Sequence, residues 1–142
     1  MNKIGKYLLF AVLGLALIGA FSYFSFMNVP KASSKGKEVE LSVTATELFQ
    51  QFEQDEAASN TKYISKIIAV TGVIEEIEED ENDGVVLFLR TGDDFAGVLC
   101  TLESTQKDKA SSLKIGDSVT VKGVCTGMLM EVVINKGVLI EE

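Results

Sequence analysis

Two cysteines, Cys100 and Cys125, are the side chains of this 142-residue sequence with the readiest redox or nucleophilic chemistry. No histidine occurs anywhere, which removes the commonest general base and metal ligand and every Ser-His or Cys-His nucleophile arrangement. Both cysteines sit in alternating runs, V-L-C-T-L and V-T-V-K-G-V-C, that turn them toward the inner faces of strands. In an oxidising compartment an even count suggests a disulfide, whose closed loop of about 25 residues would contribute roughly 2 to 4 kcal/mol. The competing reading is two buried free thiols that fill a core as small apolar groups. The other cluster with chemical potential is the acidic run E-E-D-E-N-D-G ending at Gly84. An EF-hand loop starting at Glu79 would have its sixth-position glycine, but its twelfth position is Arg90 instead of a bidentate glutamate. The motif is absent, and no metal site or cofactor is expected. The run reads as a solvated hairpin tip, with weak adventitious calcium binding as the alternative.

These residues must be positioned by strands, and the stretch K-I-I-A-V-T-G-V-I-E-E-I-E from Lys66 to Glu78 organises them. Its β-branched residues lie on both sides of Gly72, and a glycine inside such a run marks a bulge or sharp bend. Ile68 and Val70 share one face; Val73 and Ile77 continue the apolar series one residue out of phase, with Glu75 interrupting it. One extra residue at Gly72 would return both halves to the same face, as a strand that curls through the corner of a small closed barrel requires. Asp83-Gly84 then favours a hairpin into V-V-L-F-L-R, followed by A-G-V-L-C-T-L, a short helix within Glu103 to Ser112, a fourth strand through Val119, Val121 and Cys125, and a fifth supplied by Met130 to Ile134 and Val138 to Ile140.

Ahead of the barrel, T-A-T-E at Thr44 to Glu47 is a capping box, so a helix begins there, with Leu48, Phe49 and Phe52 as its apolar stripe. That stripe packs on the barrel rather than on a partner helix, and the helix fades near Ser59-Asn60. Asn28 to Leu41, with Pro30, Ser33, Ser34 and Gly36, reads as a tether, on the order of 20 Å long as a flexible coil. Its lysines either touch lipid headgroups or mark the edge of a solvated linker.

From Tyr7 to Met27 the chain carries no charge, which is long enough to span a bilayer as a helix. Tyr7 at one end and Tyr23, Phe24 and Phe26 at the other are aromatics of the kind found at membrane interfaces. A cleaved signal peptide is the rival reading; its one small-residue candidate, Gly19-Ala20, is followed by further apolar sequence. The expected organisation is a basic head over 1–6, a transmembrane helix or signal anchor over 7–27, a linker over 28–43 and a folded domain over 44–142. The cytoplasmic membrane is the expected location, with a single pass and the domain on the extracytoplasmic side. Five of the 13 lysines and arginines fall in residues 1–37 with no acid, so the remaining eight against 21 acids leave the folded part at −13. Such a field repels phosphate backbones and disfavours nucleic acid as a partner.

The run F-E-Q-D-E-A-A-S-N-T-K-Y-I-S-K-I-I-A-V-T-G, the later V-L-C and G-D-S-V-T-V-K-G-V-C-T-G resemble the tRNA-anti-like family of bacterial OB-fold proteins over roughly residues 44 to 140. The resemblance implies a mainly β chain: a five-stranded OB-fold barrel with a preceding α-helix and a short helix between strands three and four. It brings no catalytic residues. In an OB barrel strands three and four are not neighbours, so a Cys100–Cys125 bridge would have to cross the interior, with Cα atoms within roughly 7 Å. OB folds that bind oligonucleotides use a basic groove with stacking aromatics on strands two and three. The outward positions here, Val86, Phe88, Arg90, Leu99 and Thr101, offer one aromatic and one cation. The expected function is therefore a non-catalytic, membrane-tethered binding module of the cell envelope that holds a protein, peptide, glycan or small molecule on Phe88, Arg90, Leu99 and Thr101. A nucleic-acid-binding OB domain is the alternative.

Overall fold

The structure is a computed structural model that describes residues 34–82 and 84–141, together with 2–5, 7, 12, 14–16 and 18. It divides into two units, residues 1–32 and 33–142. In the first, the described residues from Lys3 onward are helical, and Tyr7, Val12, Leu15 and Ile18 are exposed. Most of the expected span from Tyr7 to Met27 lies outside the described residues. Among those that are described, no helix is long and apolar enough to cross a membrane.

The second unit runs β1 (Leu41–Thr44), α1 (Ala45–Gln54), α2 (Glu56–Tyr63), β2 (Ile67–Glu79), β3 (Val85–Leu89) and β4 (Val98–Leu102). A 3₁₀ turn (Ser104–Gln106) and α3 (Lys107–Ala110) then lead into β5 (Ser118–Met128) and β6 (Val132–Ile140). Hydrogen bonds connect the strands in the order β2-β3-β4-β6-β5, and β5 pairs back with β2 to close a five-stranded barrel. The β4–β6 pair is parallel; the other barrel pairs are antiparallel. As the sequence requires, Val85, Leu87 and Leu89 alternate inward, as do Val98, Cys100 and Leu102, and Val121 and Cys125 face the same core.

Strand β2 closes the barrel by changing partners: Ile67 to Val73 pair with β5, and Ile74 to Glu79 with β3. The expected phase change is present but displaced. Pairing with β5 runs through Gly72 without a break, Ile74 stays inside with Ile68 and Val70, and the bulge falls between Ile74 and Glu76. Gly72 serves a different purpose. A Cβ there would lie 2.9 Å from the Cβ of Ala45 and 3.2 Å from that of Leu89, so the glycine lets the first turn of α1 approach the barrel wall.

Three further departures concern the segment before β2. The Thr44 hydroxyl does accept from the Glu47 amide at 3.2 Å, but the single expected helix is two. Asp55, at φ −154°, ends α1 with its N–H bonded to Gln51 and begins α2 by accepting from the Ala58 amide at 3.0 Å. The second helix continues past Asn60 to Tyr63, whose ring stacks on Phe52 with centroids 5.9 Å apart. Residues Leu41–Thr44, of which 41–43 were expected as linker and Thr44 as the helix cap, form a strand parallel to β2, in register from Leu41 opposite Ile68 to Thr44 opposite Thr71. Upstream of it the chain is strapped to the barrel: Ser34 is buried and its N–H donates to Glu103 at 2.9 Å, Lys122 donates to the Lys37 carbonyl, and the Ile67 amide donates to the Glu40 carboxylate at 2.9 Å.

Candidate functional site

Strand alternation turns Val86 and Phe88 of β3, and Leu99 and Thr101 of β4, to the outer side of the wall, where all four are half-buried. Register brings them together in two rows: Phe88 opposite Leu99 and Val86 opposite Thr101. The rows extend both ways. On β6, Val133 is the partner of Leu99. On β2, Glu76 is the partner of Phe88 and Glu78 that of Val86. Because directly opposed residues share a face, the result is an apolar strip of Phe88, Leu99 and Val133 edged by carboxylates.

Arg90 follows β3 and is fastened by its backbone, its N–H donating to Val73 at 2.9 Å. Its guanidinium Nε lies 4.0 Å from Glu75 Oε1, with both side chains about half exposed to solvent, so the cation of the face already has a carboxylate beside it. The β2–β3 hairpin is closed by Asp80 N–H donating to Gly84 at 2.7 Å and carries Glu79, Asp80 and Glu81 outward. Asp83 lies outside the described residues. Among the described residues the strip of Phe88, Leu99 and Val133 is bordered by Glu76 and by the Glu75–Arg90 pair, and this acidic edge would raise the cost of bringing a phosphate backbone close.

The two cysteines are free in the structure, in place of the bridge that was one of the two sequence expectations. Cys100 and Cys125 flank the same residue, Ile134, from either side. Two strand spacings, about 9 to 10 Å, therefore separate their backbones, beyond the roughly 7 Å that a disulfide spans. Burial pushes the Cys100 thiol up to about 12 from its ordinary 9.0. It raises Cys125 as well, against a backbone hydrogen bond from Gly127 that acts in the other direction. Neither sulfur is a ready nucleophile at neutral pH, because the thiolate is the reactive form. Among the described residues no group of three or more Cys, Asp or Glu is arranged to hold a metal ion.

The alternation of the sequence singles out Phe88, Arg90, Leu99 and Thr101 as candidates on an outer face, but not what surrounds them. Val133 was hidden because a parallel β4–β6 register cannot be read from local alternation. Three large apolar side chains stand almost fully in solvent, Phe95 at 92%, Leu129 at 93% and Met130 at 80%. Phe95 lies on the β3–β4 loop and the other two on the β5–β6 turn, and a bond from Val132 N–H to the Gly97 carbonyl at 3.2 Å joins those connections. The legible signal was an L-M pair inside a turn, where polar residues are the rule.

Among solved structures, a Klebsiella pneumoniae subsp. pneumoniae MGH 78578 protein provisionally described as a nucleic acid-binding lipoprotein superposes with a TM-score of 0.57 at 16% identity, over 70% of this chain and 92% of its own. At that identity the likeness is one of fold. A protein of Leishmania major Friedlin provisionally described as an aspartyl-tRNA synthetase matches with a TM-score of 0.48 at 12% identity, over 87% of this chain and 26% of its own. The S. pombe Stn1-Ten1 complex matches with a TM-score of 0.42 at 18% identity, over 54% and 59%. At these two scores nothing is carried over. No curated protein matches. The family profile described as tRNA_anti-like, by contrast, matches residues 1–138, and over a closed barrel of the OB strand order it gives the assignment: the chain belongs to the tRNA_anti-like family.

Proposed function

We infer that the chain is a non-catalytic binding module of the bacterial cell envelope, tethered to the cytoplasmic membrane through Tyr7 to Met27 with its barrel on the extracytoplasmic side. It holds its ligand, a protein, peptide or glycan, on the face of Phe88, Arg90, Leu99 and Thr101. The observation that carries the ligand class is the register of Glu76 with Phe88 and of Glu78 with Val86, which sets carboxylates directly beside the apolar strip. Support for the tether comes from the uncharged run itself and from the exposed apolar side chains on its described helical residues. A catalytic role has little to work with, since histidine is absent and both thiols are buried with raised pKa.

Nucleic acid binding is the second reading, favoured by the fold and by the description of the Klebsiella pneumoniae neighbour. Titrating a single-stranded oligodeoxythymidylate into the chain at low salt separates the two. The acidic edge predicts no saturable binding; saturable micromolar binding, lost on replacing Phe88 and Arg90 by alanine, overturns the first reading in favour of the second.

A further inference from the structure

The apolar strip does not end at Val133. That residue also lines a groove of about 300 Å³ between α2 and the β5–β6 turn, whose apolar wall is completed by Ile64, Met128 and Leu129 and whose rim carries Glu56 and Asn60. Gly127, at φ +112°, lets the turn fold over: a Cβ there would come 3.4 Å from the Ile64 side chain and 3.7 Å from Asn60 Oδ1. The side chains bordering the groove are unlike those of an ordinary surface. Leu129 and Met130 are nearly fully exposed although both lie in a short turn where polar residues would cost nothing. No residue lining the groove is a lysine or arginine. The charges on its rim and in the neighbouring loop are acids: Glu56, Glu131 beside Met130, and Asp93 and Asp94 beside Phe95.

We propose that this groove receives an apolar side chain of a basic polypeptide segment, which then runs over Val133 and Leu99 to Phe88. Lysine or arginine side chains of that segment meet Glu56 at the groove and Glu76 at the far end of the strip. The inference rests on the reading of the chain as a binding module and goes beyond it by naming the occupant and a second pocket. Charge selects the occupant. An anionic lipid surface or a nucleic acid would bring like charge against Glu56, Glu131, Asp93 and Asp94, whereas a cationic segment with aliphatic anchors satisfies both the acids and the exposed apolar side chains. The volume suits one large aliphatic or aromatic side chain, and such buried anchors carry most of the affinity of a peptide interface.

The test uses the full chain in a non-ionic detergent and a short fluorescent peptide alternating lysine and leucine, with uptake by empty micelles subtracted. The wild-type chain should bind it saturably, and a matched glutamate–leucine peptide should not bind. The exposed double variant Leu129→Ser/Met130→Ser should weaken binding at least about tenfold, and Glu56→Gln, a milder change, should weaken it less, both with unchanged melting temperatures. If the lysine peptide binds but neither variant alters its affinity while Phe88→Ala does, the groove proposal is overturned and the face remains. Equal binding of the glutamate peptide also overturns it, because charge then selects nothing. If the lysine peptide does not bind at all the proposal fails, and the reading beneath it fails too where oligodeoxythymidylate binds saturably instead.

Discussion

Cys100 and Cys125 are held apart by the residue they share: Ile134 lies between them in the sheet, so each thiol packs as a small apolar group in a closed core. Alkylation under denaturing, non-reducing conditions followed by mass spectrometry should add two alkyl groups; addition of none would mean a bridge. The raised thiol pKa has a thermodynamic counterpart. Above its ordinary 9.0 the unfolded Cys100 loses its proton while the folded one, at about 12, keeps it, so the folded state binds more protons and its stability falls as pH rises through that window. Urea melts of Cys100→Ala should show a shallower alkaline loss than the parent between those pH values, and identical slopes would contradict the buried-thiol account. At Gly72 the cause of intolerance is contact. Gly72→Val would drive a branched side chain into Ala45 and Leu89, costing about 1 to 3 kcal/mol by overpacking, read as a lowered denaturation midpoint. An unchanged midpoint would mean that α1 can slide away.

At the scale of elements, Asp55 is the residue on which the helical arm turns, ending one helix and capping the next. Asp55→Ala removes the acceptor for the Ala58 amide and should cost about 1 kcal/mol, measured by thermal melting, with Asp55→Asn restoring most of it. Loss in both variants alike would assign the effect to charge. This joint also shows what the sequence could convey. D-E-A-A inside an otherwise continuous helical stretch is a cap signal, but propensity alone favours running through it, and the choice was made by packing of Phe52 on Tyr63. Strands β3 and β4 were legible because each is half-buried and writes its burial as alternation. Strand β1 was not, although Val39, Leu41 and Val43 alternate with polar residues, because four residues gain sheet hydrogen bonds only once β2 is there to pair with. The bulge was legible as a phase change and misplaced by a few residues, since the glycine that drew attention to it answers to α1 instead. In the candidate site, the side-chain types were legible and the neighbours were not. Glu76 beside Phe88 and Val133 beside Leu99 are facts of register between distant strands.

At the scale of the molecule, charge divides the chain: residues 1–37 carry five lysines and no acid, and residues 38–142 carry a net charge of −13, the division that the proposed tether and binding module would use. If the barrel lies outside the cytoplasmic membrane, protease added to intact spheroplasts should digest it, and full protection until lysis would put it inside. The central claim concerns what occupies the outer face of β3 and β4, and the most direct measurement is made in the living cell. A photo-crosslinking amino acid placed at Phe88 of the full chain, with one at exposed Lys109 of α3 as control, should on illumination give a defined adduct from position 88 alone, sensitive to protease and resistant to nuclease. An adduct that nuclease removes, or equal labelling from both positions, would contradict a polypeptide-binding face.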